Sequence, residues 1–261
     1  MANQDLQKTA QKTALITGGA IRVGAAIAQA LAADGWHVAI HFHGSKDAAE
    51  TLLGQIEADG GQGHLLQADL RDQDAVATLI QAASQDAPSL GCLINNASLF
   101  ENDGAMNMST ESWDDHAAVN LRAPVFLARD FARSLRKGET GVVVNMLDNK
   151  MFALNPDFFS YTIAKYGLLG ATKVLAMELA PMVRVCGIAP GITLPSTNQT
   201  DERFRHAHTL NPLGQSATLD QLVAALRFIL AAPSMTGEVI TIDGGQSLMG
   251  MPRDVSFMVE E

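Results

Sequence analysis

The sequence is poor in basic residues, in cysteine and in long apolar runs. Eighteen Lys and Arg stand against 28 Asp and Glu, for a formal net charge of −10. A nucleic-acid-binding face needs clustered basic residues, so that class of partner is not expected, and the acidity serves solubility. The two cysteines, Cys92 and Cys186, sit in apolar runs and read as small buried hydrophobes rather than a disulfide. No run approaches the length of a membrane span, and the polar opening MANQDLQKTAQK has no apolar stretch of a secretory signal. No metal-ligand constellation stands out; His206 and His208, in a polar stretch, read as solvated. These absences predict a cytoplasmic protein with no nucleic-acid or membrane partner and a flexible segment at residues 1–12.

What is present is alternation. Short apolar runs at 14–17, 37–42, 64–69, 90–97, 141–146, 183–189 and 237–243 read as strands. Amphipathic stretches at 23–34, 46–59, 72–85, 111–136, 158–179 and 219–231 read as helices, with Pro124 a candidate bend in the longest. Seven strands with helices between nearly all of them predict an α/β fold, Rossmann-like and doubly wound. Its parallel sheet would be covered on both faces, in one domain over residues 13–261. The polar stretch about 192–213 follows a strand's C-terminal end, where open α/β sheets bind ligands, and is expected to form a mobile substrate loop.

The first strand runs into TGGAIRVG, a turn whose Gly18, Gly19 and Gly24 let the backbone approach a diphosphate at a helix N-terminus. Arg22 stands where a third glycine is usual and offers a cation to phosphate or substrate. At the end of the second strand an acid would bond ribose hydroxyls and repel a 2′-phosphate. His41, His43, Ser45 and Lys46 are found there instead, which favours NADP over NAD. Asp69 suits an adenine amino group, and Asn95 and Asn96 suit backbone and cofactor contacts.

Tyr161 and Lys165, at i and i+4, share a helix face. A nearby ammonium is expected to lower the phenol pKa and make Tyr161 a proton donor, while the same ammonium can bond the nicotinamide ribose. Tyr166 points elsewhere and reads as packing. Asp148 lies thirteen residues before Tyr161, where hydride-transfer enzymes of this kind usually place Ser. Among the apolar Met146, Leu147, Met151 and Phe152, its carboxyl pKa should rise, leaving it able to protonate the nitrogen of a C=N bond before hydride arrives.

With these pieces in place, the chain resembles the short-chain dehydrogenase/reductase family over nearly its whole length. The resemblance rests on the glycine turn, NNA at 95–97, Asn120, YTIAK at 161–165, APG at 189–191 and TIDGG at 241–245. Arg22, HFHGS at 41–45, NNASLF at 95–100, NMLD at 145–148 and DGGQSL at 243–248 make it similar to the pteridine and dihydromonapterin reductases. The resemblance implies NADPH as cofactor, held by Gly18, Arg22, Val23, Gly24, His43, Ser45, Asp69, Leu70, Asn96, Ala97, Tyr161, Lys165, Pro190 and Gly191. It implies a pterin-like substrate held by Arg22, Ser98, Phe100, Asp148 and Tyr161, with Phe100 stacked on it. It also implies a water held by Asn120 that links Lys165 to solvent, and a homotetramer. The subgroup's His-Arg-Ser phosphate grip reads His43-Gly44-Ser45 here, with Lys46 as a substitute cation. Two alternatives stay open: a general carbonyl reductase for 3-oxoacyl, sugar or steroid substrates, and a non-catalytic dinucleotide sensor.

Overall fold

The computed structural model describes residues 12–195 and 200–258. The expected flexible segment at 1–12 lies outside the described residues, apart from Lys12.

Seven parallel strands form one sheet: β1 (Thr13–Ile16), β2 (His37–Phe42), β3 (Gln62–Gln67), β4 (Leu90–Asn95), β5 (Gly141–Met146), β6 (Val183–Pro190) and β7 (Val239–Ile242). Their order is β3-β2-β1-β4-β5-β6-β7. Between β1 and β4 the winding reverses, and the first glycine turn opens at that switch point. Eight helices connect the strands: α1 (Arg22–Ala33), α2 (Lys46–Ala58), α3 (Gln73–Ser84), α4 (Thr110–Ala117), α5 (Ala123–Ser134), α6 (Phe159–Glu178), α7 (Asp201–Thr209) and α8 (Leu219–Ala231).

The strand period of two divides the core. On one face Ala14, Ile16, Val38, Ile40, Ile94, Val144 and Ile188 pack against Ile27 of α1, Leu52 of α2 and Leu226 of α8. On the other, Leu15, Leu93, Val143 and Val185 pack against Leu79 of α3, and Leu127 and Phe131 of α5. Both faces are therefore covered, which is why the strands read as unbroken apolar runs. Cys92 and Cys186 are buried and unpaired, and no described helix is long and apolar enough to cross a membrane.

The predicted helices and strands fall within two residues of the observed ones, with two departures. The long helix expected at 111–136 is α4 and α5 joined by a π-helical turn at Ala118–Arg122. Pro124 has no N–H to bond the carbonyl of Asn120, so the ladder slips: the amide of Ala123 bonds Ala118, five residues back. The stretch expected to be a substrate loop contains α7, whose start is capped by Thr200 accepting from the Arg203 amide. Part of that stretch, 196–199, lies outside the described residues.

Candidate active site

A cleft of about 540 Å³ opens at the C-terminal ends of β1, β2, β3 and β4. Gly18, Arg22, Val23, Gly24, His43, Asp69, Leu70, Asn96, Ala97 and Ser98 line it, among others. Its floor is made of backbone. Gly18 has a φ of +59°, and a Cβ there would stand 2.9 Å from the Cα of Ala97. A Cβ on Gly24 would meet the carbonyl oxygen of Gly18 at 2.1 Å. The residue before α1 is Ile21, which has no side-chain acceptor for the first-turn amides, so the helix N-terminus faces the cleft uncapped. Arg22 adopts a φ of 56°, the left-handed region that explains why glycine suits this position. Its guanidinium donates to the carbonyl of Pro195 at 2.8 Å and so bridges the glycine turn to the stretch before α7.

The turn is braced from two sides. Asn96 Nδ2 donates to the carbonyls of Thr17 and Gly18, each at 3.0 Å. His41 is buried, and its Nδ1 lies 3.1 Å from the Gly18 amide that donates to it. Burial pushes His41 down to about 4, so it stays neutral and accepts. Asn95 is buried beneath, donating to Asn145 Oδ1 at 2.8 Å and to the Pro124 carbonyl at 3.4 Å, and braces the sheet against α5. At the far end Asp69 is held by Arg71 Nε (2.9 Å) and Nη2 (2.7 Å), which depress its carboxyl to about 2. Arg71 also bonds Asp115 at 3.0 Å and lines the cleft, a residue that the sequence reading missed. His43 is exposed, 3.8 Å from Asp69, and Lys46 is paired with Glu50 at 3.7 Å. Ser45 precedes α2, with no side-chain capping bond.

Beside the cleft lies the second cluster. Tyr161 donates its O–H to Asp148 Oδ2 at 2.6 Å. Asp148 Oδ1 accepts from the Lys150 amide at 2.8 Å, capping a short 3-10 turn at Asn149–Met151. Tyr161 is 5% exposed and Asp148 half-buried, with both carboxyl oxygens engaged by these two bonds. Burial raises the Asp148 pKa as expected, against the bonds from Tyr161 and Lys150 and the charge of Lys165; the charge of Asp254 adds to the rise.

One expectation is reversed. The Tyr161 pKa is raised well above its ordinary value, by burial and then by the charge and hydrogen bond of Asp148. Lys165 does not offset this. Its Nζ donates to the Met146 carbonyl at 2.7 Å and stands 5.8 Å from the Tyr161 ring centroid. Burial itself lowers Lys165 to about 8.

Asn120, in the π-helical turn, is fully buried and clamps Leu99: its Oδ1 accepts from the Leu99 amide at 2.9 Å and its Nδ2 donates to the Leu99 carbonyl at 2.8 Å. Its side chain is thus committed to the loop after β4. Phe100 is 47% exposed, not core. One side of its ring stacks on Phe158 at 4.1 Å between centroids, and Tyr161 meets it edge-on at 4.7 Å. Ser98 is exposed beside it. Pro190 ends β6, and the Gly191 amide donates to the Ile242 carbonyl at 2.8 Å, at the C-terminal ends of β6 and β7. Tyr166, expected to pack, is 46% exposed on α6. His206 is exposed, but His208 is half-buried with Nδ1 3.0 Å from the Ile192 carbonyl.

A model of the short chain dehydrogenase family matches residues 12–206. The 3-oxoacyl-acyl-carrier-protein reductase FabG of Staphylococcus aureus is 29% identical over 239 residues, 90% of this chain and 97% of that protein. The probable galactose dehydrogenase GalD of Rhizobium meliloti is 32% identical over 240 residues, 88% of this chain and 93% of that protein. Among solved structures, FolM alternative dihydrofolate reductase 1 from Brucella suis, in complex with NADP, is 41% identical with a TM-score of 0.88, covering 91% of this chain and 95% of that chain. The same protein from Brucella canis, also complexed with NADP, gives 41% and 0.88, covering 92% and 95%.

Proposed function

The chain belongs to the short-chain dehydrogenase family, and on that premise we propose that it is an NADPH-dependent reductase of a pterin-like heterocycle, taking a dihydropterin to a tetrahydropterin. The observation that carries this reading is the 2.6 Å Asp148–Tyr161 pair beside the exposed ring of Phe100. Likeness at 41% identity to two structures named as dihydrofolate reductases, both with NADP, supports it.

The residues lining the cleft fit the cofactor. Gly18 and Gly24 leave room that a Cβ would fill, and the uncapped α1 N-terminus offers amides to phosphate. Arg22, His43, Ser45 and Lys46 supply donors where an acid would have repelled a 2′-phosphate. NADPH, when bound, supplies the hydride. Lys165, fixed on the Met146 carbonyl, has further N–H groups for the ribose. Phe100, with one side of its ring covered by Phe158, offers the other to a flat substrate.

Asp148 gives its proton to the ring nitrogen, because its raised pKa keeps it protonated to higher pH while leaving it a far stronger acid than the phenol. Tyr161 is the second acid: its O–H already points at Asp148 and stabilises the carboxylate left behind. Asn120 holds Leu99, and so the loop that carries Ser98 and Phe100. The main-chain carbonyl of Asn120, to which Pro124 has no N–H to donate, is the group assigned to the water ligand.

A second reading, carbonyl reduction, is favoured by the intact Tyr161 and Lys165 and by the reductase and dehydrogenase relatives. Rates of NADPH oxidation with dihydrobiopterin, a simple ketone and a 3-oxoacyl thioester separate the two. The pterin should be turned over and the ketone not; preferred turnover of the thioester would reject the pterin reading. The enzyme is further proposed to be a cytoplasmic homotetramer. Exposed Phe126 on α5 and Ile163, Tyr166, Val174 and Met177 on α6 suit a partner helix pair. A monomer mass in light scattering at micromolar concentration would reject the assembly.

A further inference from the structure

The short turn that follows Asp148 carries a buried cation. Lys150 is 6% exposed. Its Nζ donates to Asp254 Oδ2 at 3.1 Å and lies 5.2 Å from the Phe158 ring centroid. The adjoining Arg253 donates from Nε to both oxygens of Asp157 at 2.9 Å, and the Asp254 amide donates to Asp157 Oδ2 at 2.7 Å. Arg253 and Asp254 therefore hold both ends of the segment that runs from the acid pair to Phe158. Beyond them, Phe257 stacks on Phe158 at 5.8 Å, which in turn stacks on Phe100.

Packing alone does not account for a buried ion pair here. Desolvating two charges offsets most of their attraction, and apolar residues of similar size would tie the segment down as well. The position of the charges is the informative part. Asp254 is bonded to the side chain of Lys150, the residue whose amide Asp148 caps, and its charge adds to the rise of Asp148 and Tyr161 behind burial, the largest cause in each. The charged and titratable groups around Asp148 are Tyr161 and Lys165 on α6, Lys150 on its own turn and Asp254 on the C-terminal segment. The Arg253–Asp157 pair lies beyond them.

We propose that Lys150 and Asp254 are positioning residues of the acid pair: Lys150 anchors the C-terminal segment to the Asp148 turn, and Asp254 sets a negative charge beside Asp148 and Tyr161. The proposal rests on the reading of Asp148 as proton donor, but it can be measured without a substrate. The sign follows from charge. Neutralising Asp254 removes a repulsion that opposes ionisation of Asp148, so Asp148 should lose its proton at lower pH.

The experiment is an infrared titration of the protonated carboxyl band of Asp148, assigned by its loss in Asp148→Asn, in wild type, Asp254→Asn and Asp254→Glu. In Asp254→Asn the band should titrate at lower pH than in wild type. The alkaline limb of dihydrobiopterin turnover should move with it, a loss of up to about tenfold above the limb, with the NADPH dissociation constant unchanged. Asp254→Glu should restore most of the wild-type titration, which a role in packing alone would not require. If Asp254→Asn does not fold because Lys150 is left unpaired, the double variant Lys150→Met/Asp254→Leu removes both charges and should shift the band in the same direction. An unmoved Asp148 band in the folded variant overturns the proposal. A shifted band in a protein that turns over no pterin upholds the pairing and rejects the pterin reading instead.

Discussion

The glycine-turn cleft and the Asp148–Tyr161 corner lie side by side at the C-terminal ends of the strands, yet they are made differently. The cleft is shaped by backbone, and its charges are on the surface. Asp69 is drawn down to about 2 by the guanidinium of Arg71, the ordinary direction for an exposed ion pair. At the corner burial dominates: Asp148 and Tyr161 are pushed up and Lys165 is pushed down to about 8. Desolvation there moves acids and base toward their neutral forms, which brings Asp148 and Lys165 closer to neutral pH and holds Tyr161 protonated. One region recognises by shape and donor placement; the other stores proton affinity. Substitutions in the two should accordingly change different quantities, binding in the first and rate in the second.

The largest effect is expected from Asp148→Ser. A serine keeps an acceptor for the Lys150 amide, so the turn and the fold should survive. The carboxyl proton is lost, and general acid catalysis is commonly worth 10²–10⁴-fold, about 3–5 kcal/mol of barrier. Pterin turnover should fall by roughly that range, at the low end if Tyr161 substitutes. Because the protonated form is the active one, the wild-type rate should fall as pH rises through the raised Asp148 pKa, and this limb should be missing in the variant. NADPH affinity should be unchanged. Equal pterin turnover in the two proteins would reduce Asp148 to a capping residue.

Next comes the opposite region. In Gly24→Ala the new Cβ would stand 2.1 Å from the Gly18 carbonyl oxygen. Neither atom belongs to a flexible side chain, so the turn itself must move. Overpacking of this severity costs about 3 kcal/mol, or roughly a hundredfold in NADPH affinity where the turn gives way. Fluorescence titration with NADPH measures this, and unchanged affinity would show that the glycine turn is not the cradle.

The same contrast explains what was legible in the sequence. A backbone-shaped site writes itself locally: Gly18 and Gly24 announce the turn, and strand and helix periods fix the layers to within two residues. Tyr161, Lys165 and Asp148 were legible because they lie within one strand–loop–helix unit. Lys150 and Asp254 were not, since the pair closes across 104 residues and neither belongs to a local pattern. Arg71 was passed over for a similar reason. Its role depends on Asp115, 44 residues away, although its place two residues after Asp69 was a cue. The phenol shifts against the direction that i,i+4 spacing predicts, because that spacing shows that two side chains share a helix face but not where their ends go. Lys165 turns to the Met146 carbonyl instead. The helix α7 was hidden by the polarity of its stretch, where only the cap at Thr200 marks a start.

A smaller effect is expected at the boundary of the two regions. Phe100→Ala removes an exposed aromatic face and the ring contacts to Phe158 and Tyr161. Stacking adds about 0.5–1.5 kcal/mol beyond area burial, so the dissociation constant for a dihydropterin should rise about tenfold. NADPH binding should hold steady. Parallel weakening of both ligands would mean that Phe100 supports the whole loop after β4 rather than the substrate.

The smallest change should be a gain. Gly44 stands where the pteridine reductases carry Arg, in the exposed loop between β2 and α2. A Cβ there would meet no atom within 4 Å, and the backbone is not in the left-handed region, so a side chain enters without strain. The cations already nearby are engaged. Lys46 is paired with Glu50, and Arg71 is held between Asp69 and Asp115. Gly44→Arg would add a planar donor able to bond a phosphate with two parallel N–H groups, which a lysine cannot do. The site is open to water, so screening limits the gain to about 1 kcal/mol, roughly fivefold in NADPH affinity at low salt. NADH, which lacks the 2′-phosphate, should bind the two proteins equally. The ratio of the NADPH and NADH dissociation constants, taken at two salt concentrations, isolates the contact. A change common to both cofactors would place the new guanidinium on the diphosphate or on Asp69, and the 2′-phosphate would then have to be sought elsewhere along the cleft.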